Sequence, residues 1–364
     1  MRKLLFFFLI SLSLSKGSLF SQSAPEILPG TQLLDWDETN DAAMADRLMD
    51  GAHRFVDRKM AEAQRKRGKF WHHDFSKGPA KYEESISANR AEFKRIIGVV
   101  DARAEVMMER FGDDENPALV AENDDFQIFQ VRWPSIEGVW SEGLLVEPRK
   151  LPTGSVVLIP DAEQTPEQLL GLQTGIPPEN RTARILAERG FRLIVPTMIS
   201  REKLNPDLLD IPEAARERLA RRTDQTYREY LYRQSYHMGC HIIGYEVQHV
   251  LAAVEWLKKT GGSATKVGVT GYGEGGLIAF YAAAADNSID AVLVSGYFQS
   301  RELTWQEPVY RNVWSLLDQF GDAEIASLIA PRGLVIEHSP IPTITGHKGH
   351  LETSEFSNVQ VEFK

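Results

Sequence analysis

Between the apolar run Lys266-Val-Gly-Val-Thr270 and an alanine-rich stretch at 276–285 stands Gly271-Tyr272-Gly273-Glu274-Gly275-Gly276. Glycine, any residue, nucleophile, any residue, glycine on a strand-to-helix turn is the arrangement that lifts one reactive side chain above a sheet. The flanking glycines let the turn close tightly. The N–H of the residue after the nucleophile points to where an oxyanion develops. In this frame Gly271 and Gly275 flank, Tyr272 precedes the central position, and Glu274 supplies the N–H. The central position is Gly273. Without a side chain there, no covalent acyl intermediate can form at that point.

The same glycines allow two other readings. Gly271, Gly273 and Gly276 match G-x-G-x-x-G literally, a spacing used to cradle a dinucleotide pyrophosphate. That use needs an acidic ribose partner at the end of the next strand, whereas Asp290 stands before the strand 291–294. A tight turn with no ligand is the third reading. Elsewhere, Cys240 precedes His241, and an imidazole beside a thiol can favour a thiolate nucleophile. The segment reads as helical, and helical neighbours point about 100° apart, so the pair is not expected to act together. His72 and His73 adjoin without a further ligand cluster, so they read as part of a docking segment rather than a metal site. No cofactor and no metal are expected.

These residues must be positioned by an alternation of strands and helices. Residues 126–133 and 139–146 read as paired strands around a turn with Pro134 and Gly138. Residues 155–159 have the look of a buried strand, and 191–195, 266–270, 291–294 and 334–337 read as further strands. Helices are expected near 179–189, over a long stretch at 212–259, at 276–285 and near 309–319. Such alternation implies right-handed crossovers and an α/β, doubly wound, mostly parallel sheet. Before it, 41–67 and 80–97 have helical spacing around the aromatic run Phe70-Trp71 and Phe75, which gives an N-terminal helical segment. The organisation read from the chain is 1–23 leader, 24–123 helical segment, 124–340 main domain and 341–364 linker.

The chain of 364 residues carries a net charge of −10, which argues against a nucleic-acid partner that would need a basic face. Arg2 and Lys3 precede an apolar run over 4–10, followed by Ser18, Ser21, Ser23 and Ala24. That is the order of a secretory signal peptide, too short to span a membrane comfortably. Cleavage is expected between Ser21 and Ala24, leaving a secreted or periplasmic protein without a membrane anchor. Cys240 is the single cysteine, so no intrachain disulfide is expected.

The order of these features resembles secreted bacterial α/β-hydrolases of the acetyl-xylan-esterase and dienelactone-hydrolase type. The resemblance rests on Val157-Leu-Ile-Pro-Asp161, Gly239-Cys-His-Ile-Ile-Gly-Tyr-Glu-Val247, the turn 271–276 and Ile329-Ala-Pro-Arg-Gly-Leu-Val-Ile336. It implies the α/β-hydrolase fold and a second oxyanion N–H from Asp161 or Ala162, beside that of Glu274. It also implies an acid just after 334–337 and then a histidine. The residues following are His338-Ser339-Pro340, with Glu337 a poor substitute, and His347 and His350 lie in a glycine-containing stretch that reads as a linker. Set against the family, the last strand and helix are expected to be missing, as in a truncated chain. The resemblance therefore implies a carboxylic-ester hydrolase relative without serine-triad catalysis, with an acylated carbohydrate or similar ester as ligand. A hydrolase using Glu274, Asp161 or Glu163 instead, and an interaction module built on the N-terminal helices, stand as alternatives. Oligomeric state is not legible.

Overall fold

A computed structural model describes residues 29–31, 38–221, 225–262, 264–302 and 307–340, with a short antiparallel pair, Ile344–Thr345 and Leu351–Glu352. The expected leader, His347 and His350 lie outside the described residues. The chain divides into two units, Met1–Asp57 and Arg58–Lys364. In the first, helix α1 (Glu38–Lys66) begins, and its Leu48 and Met49 are exposed.

The second unit holds a nine-stranded sheet. Strands β1 (Glu109–Arg110), β2 (Leu119–Glu122), β3 (Phe126–Ile136) and β4 (Val139–Pro148) form its antiparallel side. Strands β5 (Ser155–Ile159), β6 (Arg192–Pro196), β7 (Val267–Tyr272), β8 (Ala291–Ser295) and β9 (Gly333–Glu337) run parallel, in the order β6-β5-β7-β8-β9. The order doubles back at β5, and such a reversal opens a crevice beyond the strand C-termini. Side chains alternate between faces. Val157, Ile159 and Ile194 enter one core, and Leu158, Leu193 and Val195 enter the other.

Helices cover both faces. On one lie α3 (Pro166–Leu170) and α4 (Thr182–Glu188), whose Leu169, Leu170 and Ala183 pack with Leu158 and Leu193. On the other lie α2 (Pro79–Ile96), α7 (Ile242–Gly261), α8 (Glu274–Ala285) and α10 (Asp322–Ser327). Helix α8 is apolar around its whole circumference after the first residue, and all of it is buried, as such a sequence requires.

Three expectations change. The stretch at 212–259 is three helices, α5 (Glu213–Ala220), α6 (Tyr227–Tyr236) and α7. Thr226 accepts the Glu229 N–H to start α6, Gly239 turns the chain at φ 72°, and His241 caps α7. Cys240 consequently sits in a connection rather than in a helix. Pro134 lies within β3 beside a register shift, not in the turn. The region 309–319 is a 3-10 turn (Val309–Arg311) and a short helix α9 (Leu316–Gln319), separated by Ser315 at φ 61°.

Residues 67–97 attach to this domain through specific bonds. Arg67 Nε donates to Leu317 O at 3.0 Å, Trp71 Nε1 to Gln319 O at 3.0 Å, and Tyr82 Oη to Ser327 O at 2.7 Å. His73 stacks with Trp71, Phe75 and Tyr82. Phe93 is fully buried, with its ring 5.2 Å from Tyr281 and 5.4 Å from Phe320. Truncating such a side chain removes its transfer free energy and leaves a cavity. Phe93→Ala is expected to lower the stability of the whole domain by about 3–5 kcal/mol, read as a shifted urea midpoint with an unchanged slope. A variant that melts like the wild type would contradict α2 as part of this core.

Candidate functional site

The turn from β7 into α8 passes through Gly273 at φ 58°, ψ −116°, a conformation that side-chain-bearing residues adopt only under strain. Close approach explains the second glycine of the frame. A Cβ on Gly275 would lie 2.2 Å from Ile159 O and 2.4 Å from Pro160 O, so the end of β5 presses directly on α8. The expected elbow is therefore present in its backbone.

What surrounds it is a buried network of charges. Glu274 opens α8 with its side chain wholly buried. Its Oε2 accepts from Arg311 Nη2 at 2.8 Å, Arg311 Nε at 3.1 Å and Arg201 Nη2 at 3.2 Å. Its Oε1 lies 3.4 Å from Arg228 Nη2. Burial pushes this carboxyl up, but the Arg311, Arg228 and Arg201 guanidiniums outweigh burial and hold it well below the usual carboxylate range. The network extends outward. Arg228 makes two 2.8 Å bonds to Glu246 of α7, and Arg311 approaches Glu307, which Arg301 also contacts. Arg301 in turn grips Asp322 with two 3.0 Å bonds.

Asp161, just past β5, occupies the oxyanion side of the elbow. Its Oδ1 accepts the Glu274 N–H at 2.8 Å and Arg201 Nη2 at 2.9 Å, and its Oδ2 accepts Arg201 Nη1 at 2.5 Å. The Asp161 N–H itself donates to Gln164 Oε1 at 3.2 Å. Two of the three N–H groups assigned to the oxyanion site thus already serve internal acceptors. Ala162, the third, is buried next to Asp161. Tyr272 points its hydroxyl to Pro340 O at 2.8 Å. Glu163 is exposed, 3.7 Å from Arg201. Glu337 is exposed at the end of β9, in register with Ser295.

The other residues singled out from the sequence go elsewhere. Asp290 lies at the N-terminal end of β8, away from the elbow, and binds the Val267 N–H, Lys258 and Lys266. It cannot reach a ligand at the glycine turn. Cys240 Sγ faces Asp101 at 3.8 Å, while the His241 ring serves α7. Its Nδ1 accepts the Ile243 N–H at 3.1 Å, which leaves Nε2–H to donate to Asn312 O at 2.9 Å. Among the described residues no group of acidic, histidine or cysteine side chains is arranged to hold a metal ion. Sequence reasoning missed Arg201, Arg228, Glu246 and Arg311. Of these, Glu246 carried a signal, since it interrupts the apolar face of α7 formed by Ile243, Val247 and Val250.

Burial pushes His241 down from 6.5 to about 4, against the opposing pull of its bond to Asn312 O. The unfolded chain then binds a proton in a pH range where the folded one does not. Stability tied to this residue is present above 6.5 and is lost as pH falls towards 4, by roughly 3 kcal/mol. His249, which burial pushes down to about 3, adds to the same acid loss. His241→Asn, which retains a capping acceptor, is expected to flatten the loss between pH 6.5 and 4. Parallel stability curves for the two proteins would refute that assignment.

Residues 142–310 match the profile of the Dienelactone hydrolase family. No curated protein matches the chain. Among solved structures, a putative acetyl xylan esterase from Bacteroides fragilis NCTC 9343 is similar at 15% identity, over 73% of this chain and 70% of that one, with a TM-score of 0.52. A glucuronoyl esterase from Solibacter usitatus aligns at 16% identity, over 70% and 74%, with a TM-score of 0.43. Within the described residues, no helix is long and apolar enough to cross a membrane. Over residues 142–310 the chain is thus similar to the Dienelactone hydrolase family, and its fold is the α/β-hydrolase fold.

Proposed function

We propose that this protein is an exported, non-catalytic relative of the carboxylic-ester hydrolases, which binds an acylated carbohydrate or similar ester without cleaving it. The observation that carries this reading is the 2.8 Å bond from the Glu274 N–H to Asp161 Oδ1. Acyl transfer needs that N–H free to meet a developing oxyanion, and here a carboxylate clamped by Arg201 sits on it. Gly273 removes the nucleophile from the same point. The reading of an unconventional hydrolase is weakened by burial: Glu274 is 0% and Asp161 2% exposed, so neither carboxylate meets a substrate. Glu163 is exposed, and its carboxylate lies 3.7 Å from Arg201. Export rests on the charged, apolar and small-residue order of the first 24 residues.

Ester turnover, stability and covalent labelling test this. Wild-type protein incubated with p-nitrophenyl esters is expected to turn over no faster than a denatured control. Gly273→Ser is expected to remain inert, because a serine hydroxyl at its free pKa needs a base and an orienting acid. It should also be less stable by about 1–3 kcal/mol, since serine reinstates strain at φ 58°. Rapid labelling of the introduced serine by a fluorophosphonate would overturn the non-catalytic reading.

A further inference from the structure

Every residue of α1 from Met44 to Lys59 is exposed, the apolar ones included. Met44, Leu48, Met49 and Val56 are between 48% and 77% exposed. Single apolar residues scattered over a surface are ordinary, but these are not scattered. At about 100° per residue, every large apolar side chain of 44–57 falls, with Ala45 and Ala52, on one arc of about 140°. A helix with such a stripe ordinarily owes its stability to the packing of that face. Charge is ordered around the stripe as well. Arg47 and Arg54 lie beyond one edge, and Asp46, Asp50 and Asp57 beyond the other. Arg54 pairs with Asp50 and His53 with Asp57, whereas Arg47 and Asp46 have no ion-pair partner among the described residues. Gly51 sits between the stripe and the arginine edge. Glycine inside a helix is unfavourable, and no contact within the chain demands it, since a Cβ there would meet nothing within 4 Å.

We propose that α1 pairs with the α1 of a second copy of this chain, parallel and in register, to make a two-fold dimer. Ala45, Leu48, Ala52 and Phe55 recur at the three- and four-residue spacing of a coiled-coil seam. Beside that seam, a parallel pair sets Met44 against Met49 of the second copy and Gly51 against its Val56. The bare Gly51 lets the two backbones approach there. Charge selects the orientation. In a parallel pair the arginine edge of each helix borders the aspartate edge of the other, whereas in an antiparallel pair like edges meet. The same order of charge selects against a lipid surface. An interfacial helix carries cations across its polar face, and here aspartates line one side of it. The contact uses the same patch of both copies, so it closes at two. Two heptads bury a small area, and the dimer is therefore weak and dependent on concentration.

The test is sedimentation equilibrium of the mature full chain over roughly a hundredfold range of concentration, with and without vesicles of anionic phospholipid. A monomer–dimer equilibrium is expected in the absence of vesicles. Leu48→Glu should weaken it about tenfold or more, with an unchanged melting temperature below the dimerisation range, because the side chain is 77% exposed. Leu151→Glu, at a residue of the second unit that is 94% exposed, should leave the equilibrium as it is. Orientation is read in a Cys240→Ser background by Ala45→Cys and Ala52→Cys. Both should oxidise to disulfide-linked dimers, because a parallel, in-register pair brings each position within reach of its own copy. An antiparallel pair allows this at one of the two at most. Four outcomes overturn the proposal: a monomer at every concentration, a dimer that Leu48→Glu leaves intact, cross-linking at fewer than both positions, or a monomer that binds vesicles until Leu48→Glu abolishes the binding.

Discussion

A carboxylate with no access to water, Glu274, sits at the first turn of α8 and is surrounded by three arginines. Burying one charge in a low-dielectric interior is prohibitive, and burying several is tolerable only when their geometry is complete. That condition organises the whole C-terminal edge of the sheet. Arg201 comes from the loop after β6, Arg228 from α6, and Arg311 from the turn before α9. Each must reach the same carboxylate, so three segments distant in the chain are fixed relative to the elbow by charge as well as by the packing of residues such as Ile199, Tyr232 and Tyr310. The helix N-terminus reinforces the arrangement, since its partial positive charge favours an anion there. Removing one member would leave the others as uncompensated buried charges, a loss that can reach about 3–5 kcal/mol for a broken pair.

The same condition sets this site apart from an acyl-transfer centre built on the same backbone. Such a centre keeps two N–H groups unoccupied and a nucleophile in reach of solvent and substrate. Here the elbow backbone is present while two of the three candidate N–H groups are filled from within. Asp161 takes the N–H of Glu274, Gln164 takes the N–H of Asp161, and Arg201 holds Asp161 in place. The glycines at 271 and 275 remain necessary because a Cβ on Gly271 would lie 2.2 Å from Gly275 O at the start of α8, and one on Gly275 would lie 2.2 Å from Ile159 O at the end of β5. Gly273 keeps its positive φ because the turn still has to close. Fold and catalysis thus place separate demands on one hexapeptide, and those of the fold are met by Gly271, Gly273 and Gly275.

This separation also decides what could be read from the sequence. The sheet was legible because apolar runs such as 155–159 and 291–294 are bounded by turn residues, and the elbow because glycine spacing encodes a local backbone path. The three-way split of 212–259 was obscured by a nearly continuous helical period, although Thr226 with Glu229 is a start signal. The ion network was almost wholly hidden. Arg201, Arg228 and Arg311 lie in stretches rich in other arginines and carboxylates, most of which are solvated. Nothing local distinguishes a guanidinium that will be buried from one that will not. That distinction is made by tertiary contact, here by a carboxylate up to 73 residues away in the chain.

Arg311 joins the lock at the elbow to a cavity of about 450 Å³ beside it, between Tyr236 of α6 and the segment 311–318. Its guanidinium bonds Glu274 on one side and lines the cavity with Glu307 and Arg301 on the other. A wall tied in this way cannot swing without breaking buried pairs, so the cavity is rigid where it is polar. Its aromatic rim differs: Trp314 is 73% exposed and precedes Ser315, whose positive φ is offset by the packing of Leu316 and by the bond of the Ser315 hydroxyl to Asp318. The charges buried at the elbow are therefore continuous with the ones that shape the neighbouring cavity.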